Sequence, residues 1–300
     1  MTQENRRKAI RFVLLTFIIN WGLFGLAYLL GRHWPVPIWM LALSLYMLVP
    51  LAVSVVLARF VDRRSVKEML GIRFRWNRFF TMAWLLPPLL VLLTLGINLF
   101  FPGVDFAPAK EGIQVERMGQ NLSDEEMANI MEQASRFPVF WLALVSGMVA
   151  GISVNAVFAF GEEAGWRGYL YQVFRPLGFW QSSLLIGLIW GLWHAPLILL
   201  LGHNYPVHRL AGVGMMLLFC VLHSVILTYI RSQSGSVLAP AIYHGTINGL
   251  GGVSLLHLQG GNDLLNGLTG LAGLLGVFLI LLVWIGYGRR QGKRLDVLQD

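Results

Sequence analysis

The chain has 300 residues, 56% of them hydrophobic and 13% charged, which excludes an ordinary soluble domain, where about a quarter of residues are charged. The single cysteine, Cys220, excludes an intrachain disulfide and a Cys-based zinc cluster. The net charge of +8 is held mostly in short clusters beside apolar runs, so it points to the anionic face of a lipid bilayer and to no nucleic acid.

In chain order, apolar runs predict about eight membrane spans, at 10–31, 37–59, 79–101, 138–160, 181–202, 209–230, 236–257 and 264–287. About 20 residues are needed to cross the hydrocarbon, and backbone groups there must be satisfied internally. None of the runs alternates in polarity as a barrel strand would. The fold class is therefore all-α, a polytopic transmembrane helical bundle forming one integral membrane domain over 1–300. The first span starts basic like a signal peptide, but it is long and lacks a small-x-small cleavage site, so it reads as a retained helix.

Orientation follows the Lys/Arg bias. Arg6, Arg7, Lys8 and Arg11 precede the first span. Arg59, Arg63, Arg64, Lys67, Arg73, Arg75 and Arg78 follow the second, and Arg289, Arg290, Lys293 and Arg294 end the chain. With eight spans these segments share one side, so both termini are expected in the cytoplasm, with the active site toward the cytoplasmic side and the protein in the cell's inner or plasma membrane if bacterial. The acidic segment 102–137 is an extracytoplasmic loop, and the Ser123–Glu126 capping-box spacing predicts a short surface helix within it. Asn121-Leu122-Ser123 is a formal glycosylation sequon. Gly147 and Gly151, and Gly267, Gly270, Gly273 and Gly276, have spacings that favour close helix packing inside the bundle.

Ionisable side chains within spans cost about 2.5–3.5 kcal/mol each on insertion scales, so they form an informative set. At about 100° per residue, Glu163 and Arg167 in "GEEAGWRG" share a face and can pair. Glu162 is turned about 100° from Glu163 and is left without a local partner, with Trp166 four residues on. Trp190 shares a face with His194, ahead of Pro196, and His244 shares one with Asn248. Taken singly, each has a bland reading: an ion pair at a helix end, an interfacial carboxylate, hydrogen-bonded core histidines. His223 lacks a polar neighbour at helical spacing and reads as structural, and His203 and His208 read as solvated turn residues.

Together, three helices can turn polar edges toward one cavity spanning a catalytic core at 138–257. A carboxylate beside a histidine can hold and deprotonate a water. A second histidine with an amide can donate to a tetrahedral oxyanion. That set suits peptide-bond hydrolysis, with no cofactor certain. An alternative wiring makes Glu162, His194 and His244 ligands of zinc or another divalent metal with an open water position. No Gly-x-Ser-Gly or Gly-x-Gly-Asp stretch offers a different intramembrane protease chemistry.

The order of these motifs resembles a known family. "EEAGWR" at 162–167 is Glu-Glu-x-x-x-Arg, "WGLWH" at 190–194 is aromatic-x-x-x-His with Trp190 where Phe is more usual, and "HGTIN" at 244–248 is His-x-x-x-Asn. Over about 158–250 the chain is similar to the CPBP family of intramembrane proteases (CAAX protease, bacteriocin-processing or Abi). The resemblance implies an endopeptidase acting on a peptide or membrane-protein substrate, prenylated in the eukaryotic members. It implies Glu162 as general base, His194 as its helper, His244 and Asn248 as the oxyanion site, and Glu163 and Arg167 as support, with Trp190 in the motif. It has been described both with and without a metal. Against it stand a membrane scaffold or immunity-type protein, since some family members have such roles, and a proton-coupled transporter, which would be expected to show an inverted repeat that this chain lacks.

Overall fold

The computed structural model describes residues 1–31, 33–107, 123, 125, 129, 132 and 138–290. Its elements are α1 (Gln3–Leu30), α2 (Val36–Val56, continued by a π turn Leu57–Val61), α3 (Val66–Leu70), α4 (Arg78–Asn98) and β1 (Val104–Phe106). After the loop come α5 (Val139–Ile152), α6 (Val154–Glu163), a π-helical segment (Ala164–Leu170) and α7 (Tyr171–Phe174). Then follow α8 (Phe179–Trp193), α9 (Ala195–Leu201), α10 (Arg209–Ser234), α11 (Leu238–Gly249), β2 (Leu258–Gly260) and α12 (Leu271–Arg290).

The all-α bundle is present, and the helices fall close to the expected runs. Among the described residues six helices are long and apolar enough to cross a membrane, and the bent pair Val139–Ile152 and Val154–Leu177 makes a seventh if taken as one span. The count of about eight is thus approximate. The run expected at 236–257 becomes the 12-residue α11 followed by irregular chain. The run expected at 138–160 is broken at Ser153, where the axis bends by 52°. Ser153 closes the break by donating its hydroxyl to the Val149 carbonyl at 2.7 Å. The helix expected after Ser123 falls largely outside the described residues, as do Asn121, Leu122, Asp124, Glu126, Lys293 and Arg294.

Outward faces are apolar, as lipid requires: Leu14 and Ile18 of α1, Leu85 and Leu89 of α4, and Leu279 and Val283 of α12 are all exposed. Inward faces bury Phe12, Phe80, Leu90, Trp166, Trp193 and Ile230 in one core. Backbone groups freed inside the bundle find partners. Pro50 in α2 has no N–H to give the Tyr46 carbonyl. Asn20 of α1 donates to that carbonyl instead, at 2.9 Å, and is itself buried.

Close packing positions the half of the bundle that carries the motifs. A Cβ on Gly151 would collide with Thr246, and one on Gly245 would come within 2.7 Å of the Ala156 nitrogen and the Gly151 oxygen. α5, α6 and α11 therefore cross at backbone contact, as the Gly147 and Gly151 spacing predicts. The other glycine series differs: Gly267 and Gly270 precede α12, and Gly267 has φ +78° in the turn that leads into it. At the basic end, Gly71 caps α3 at φ +67°, where Arg231 leaves no room for a side chain. Arg231 donates from Nε to the Arg167 carbonyl at 3.0 Å, tying the end of α10 to the π-helical segment.

Candidate active site

Glu162 and Glu163 close α6 and begin a π-helical stretch that runs through Arg167. The wider turn keeps the i,i+4 neighbours in reach. Arg167 Nη1 lies 3.0 Å from Glu163 Oε1, with both side chains fully buried. The ion pair is therefore present, and the structure extends it. His244 Nδ1, from α11, lies 2.9 Å from the same Glu163 oxygen. A carboxylate can only accept here, so Nδ1 carries the proton and Nε2 is the ring edge left for other work. The Arg167 guanidinium also sits 4.7 Å from the Trp190 ring centroid.

Glu162 is buried, with one feature that sequence reasoning misses: it has local partners. Trp190 donates its indole N–H to Glu162 Oε2 at 2.7 Å, and Trp166 donates to the same oxygen at 3.4 Å. The expectation of a partnerless carboxylate is corrected by these indole donors on α8 and on the π-helical segment. Among the described residues Oε1 accepts no hydrogen bond. Trp166 is more than apolar bulk at helical spacing, because its indole N–H is also a donor.

His194 caps α8 at the break before Pro196. Its Nδ1 lies 2.9 Å from the Trp190 carbonyl, which fixes the proton on Nδ1 and leaves Nε2 free to accept. The Cys220 sulfur is 3.9 Å from the same nitrogen, so the lone cysteine packs beside the site as expected of a core residue. The first half of the chain buttresses this corner. Tyr46 donates its hydroxyl to the Trp193 carbonyl at 2.8 Å, and Trp193 donates its indole N–H to Asn20 at 2.9 Å.

Glu162, His194, His244 and Asn248 line one cavity of about 280 Å³. The shared cavity expected of the three polar edges is there. Its wall also includes Leu43, Tyr46 and Met47 of α2, which lie outside every motif, and His223 and Tyr243. His223 is buried, with Nδ1 on the Phe219 carbonyl at 3.0 Å, which provides the i−4 partner its neighbouring side chains lack. His203 also lines the cavity rather than simply facing solvent, while His208 is exposed beside Asp263. The exposed lining residues are His203, Asn204, Asn248 and Gly251. His203 and Asn204 lie just before α10, whereas Arg231 and Gly71 meet near its other end. A 26-residue helix is about 39 Å long, so rim and basic loop occupy opposite ends of the bundle.

Among the described residues no group of three or more His, Cys, Asp or Glu side chains stands close enough to hold a metal ion. Glu162 Oε2 is already engaged by the indoles of Trp190 and Trp166.

Fold and site define a multi-pass membrane protein with carboxylate, imidazole and indole side chains buried between helices and lining a cavity. Residues 136–250 match the family model described as Type II CAAX prenyl endopeptidase Rce1-like. The matched stretch contains all three motifs and ends two residues beyond Asn248. The protein named "CAAX prenyl protease 2" from Methanococcus maripaludis is 23% identical over 249 residues, covering 79% of this chain and 81% of the relative. Over this segment the chain is similar to the CAAX prenyl endopeptidases, and the relative extends that similarity over most of its length.

Proposed function

We propose that the protein is an intramembrane endopeptidase that hydrolyses a peptide bond of a membrane-associated or lipidated substrate, using a water activated by Glu162 and His194. The observation that carries this reading is the meeting, in one cavity, of a carboxylate and a histidine that each keep one edge unengaged. Glu162 Oε1 takes a proton from the water as it attacks the scissile carbonyl, and His194 Nε2 helps orient that water. His244 and Asn248 donate to the developing oxyanion, with His244 held by Glu163 through Nδ1 and donating from Nε2 when both nitrogens carry protons. The proton on Glu162 then passes to the leaving amine.

In this reading Glu162 and His194 activate the water without a metal. The substrate class rests on the family: a peptide ending in a prenylated cysteine motif is the first substrate to try. The Lys/Arg bias puts the basic loop in the cytoplasm. The reacting side chains lie between that loop and the rim, so the substrate's peptide reaches them through the cavity.

The test is cleavage of a quenched fluorescent peptide with a farnesylated Cys-a-a-X end by purified protein in lipid vesicles. Wild-type protein releases the tripeptide, and Glu162→Gln, folded and inserted, does not. Equal rates for the two proteins would overturn the mechanism. Activity is expected to survive a chelator, with no stoichiometric zinc in the purified protein.

A further inference from the structure

We propose that Trp190 is the positioning residue that aims both halves of the water-activating pair. The proposal rests on the endopeptidase reading above and deepens it. Trp190 touches the site in four ways. Its indole N–H holds Glu162 Oε2 at 2.7 Å. Its carbonyl accepts from His194 Nδ1 at 2.9 Å. Its ring lies 4.7 Å below the Arg167 guanidinium and 5.2 Å from the His244 ring. It is buried on α8 and packed against Phe219 of α10.

The chemistry of these contacts is specific. A carboxylate has two oxygens, and a general base must present one of them to the water. The indole takes Oε2 and thereby selects Oε1 as the reacting oxygen. A carbonyl only accepts, so the Trp190 backbone forces the His194 proton onto Nδ1 and points a lone pair from Nε2 outward. One residue thus chooses the oxygen through its side chain and the tautomer through its main chain. The tautomer choice survives a side-chain substitution, because the carbonyl remains. The oxygen choice does not, because no neighbour replaces the short bond: the Trp166 indole is already at 3.4 Å.

A consequence is that the loss should appear in the chemical step and not in substrate binding. Hydrogen bonds to charged groups are worth enough for about a ten- to hundredfold effect. Two substitutions separate the hydrogen bond from packing: Trp190→Phe, and Trp190 replaced by benzothienylalanine, which keeps the ring shape but has sulfur in place of N–H. Both are assayed with the farnesylated peptide above, after elution and melting temperature have shown each to be folded.

The expected result is a ten- to hundredfold fall in kcat with KM unchanged, equal in the two variants. Wild-type kcat in the benzothienylalanine protein would show a packing role and overturn the proposal, as would a rise in KM alone. An activity-independent measurement accompanies this. The indole N–H Raman band of Trp190, taken as wild type minus Trp190→Phe, should sit at the strong-bond position and move to the weak-bond position in Glu162→Ala. A band that does not move overturns the proposal. Failure of the wild-type protein to cleave the peptide counts against the endopeptidase reading and leaves the indole–carboxylate bond to be judged by the Raman difference.

Discussion

Glu162 and Glu163 are neighbours in the chain and opposites in surroundings. Glu163 is locked between a guanidinium and an imidazole at 3.0 and 2.9 Å on the same oxygen. Among the described residues Glu162 meets no cation at hydrogen-bonding distance, only neutral indole donors, and it faces a cavity. The difference teaches how a membrane protein divides its buried charge. One cluster is neutralised by its own members and ties the α6–π stretch to α11, while the other keeps a carboxylate edge toward the cavity.

The largest expected effect breaks the open cluster. Glu162→Gln should lower cleavage about a thousandfold or more while leaving stability nearly unchanged, measured by peptide turnover alongside thermal melting. His194→Ala should give a smaller loss of the same kind. Breaking the locked cluster reverses the pattern. Arg167→Met leaves the Glu163 carboxylate facing only His244, and should destabilise the fold by about 3–5 kcal/mol in denaturant titration. If Arg167→Met were as stable as wild type, the distinction between the clusters would fail.

Gly151→Val sharpens the same contrast by separating helices without touching a charge. It should cost about 1–3 kcal/mol and lower activity through displaced His244 and Asn248, with KM and kcat both altered. The smallest effect is at the rim. Partial burial raises the Asp263 carboxyl, but hydrogen bonds from the His208 ring and from the His208 and Val207 amides outweigh burial and hold it below its ordinary value. The stability this pairing contributes is present above the ordinary aspartate pKa and is lost as pH falls through the lower folded value. Asp263→Asn should therefore change stability by less than about 1 kcal/mol at neutral pH, and should flatten the acid side of the stability profile.

How much of this is legible in the sequence depends on what kind of signal each part uses. Apolar runs mark the helices because lipid accepts little else, so α1, α2, α4, α8, α10 and α12 lie close to their expected places. The break at Ser153 and the shortness of α11 are not visible in hydropathy, since the residues beyond each are still apolar. Helical spacing finds the Glu163–Arg167 pair and puts Glu162 on a different face. It cannot find Trp190 and Trp166 as donors to Glu162, because one comes from another helix and both count as apolar bulk in a periodicity argument. Nor can it find the α2 wall of the cavity. Leu43 and Met47 look like any lipid-facing residues until the helices are packed.

The twelve residues of α11 rise about 18 Å, well short of a hydrocarbon layer about 30 Å thick. Past Gly249 the chain turns through Gly251, Gly252 and a short 3₁₀ segment at Val253–Leu255. Carbonyls and amides freed in this way cannot face lipid and must meet protein or water. Exposed Asn248 and Gly251 stand at that point on the cavity wall. A hydrolase inside a bilayer consumes a reagent that the bilayer excludes. On the endopeptidase reading proposed above, the shortness of α11 leaves polar backbone beside the cavity, a path by which water reaches the bond to be cleaved.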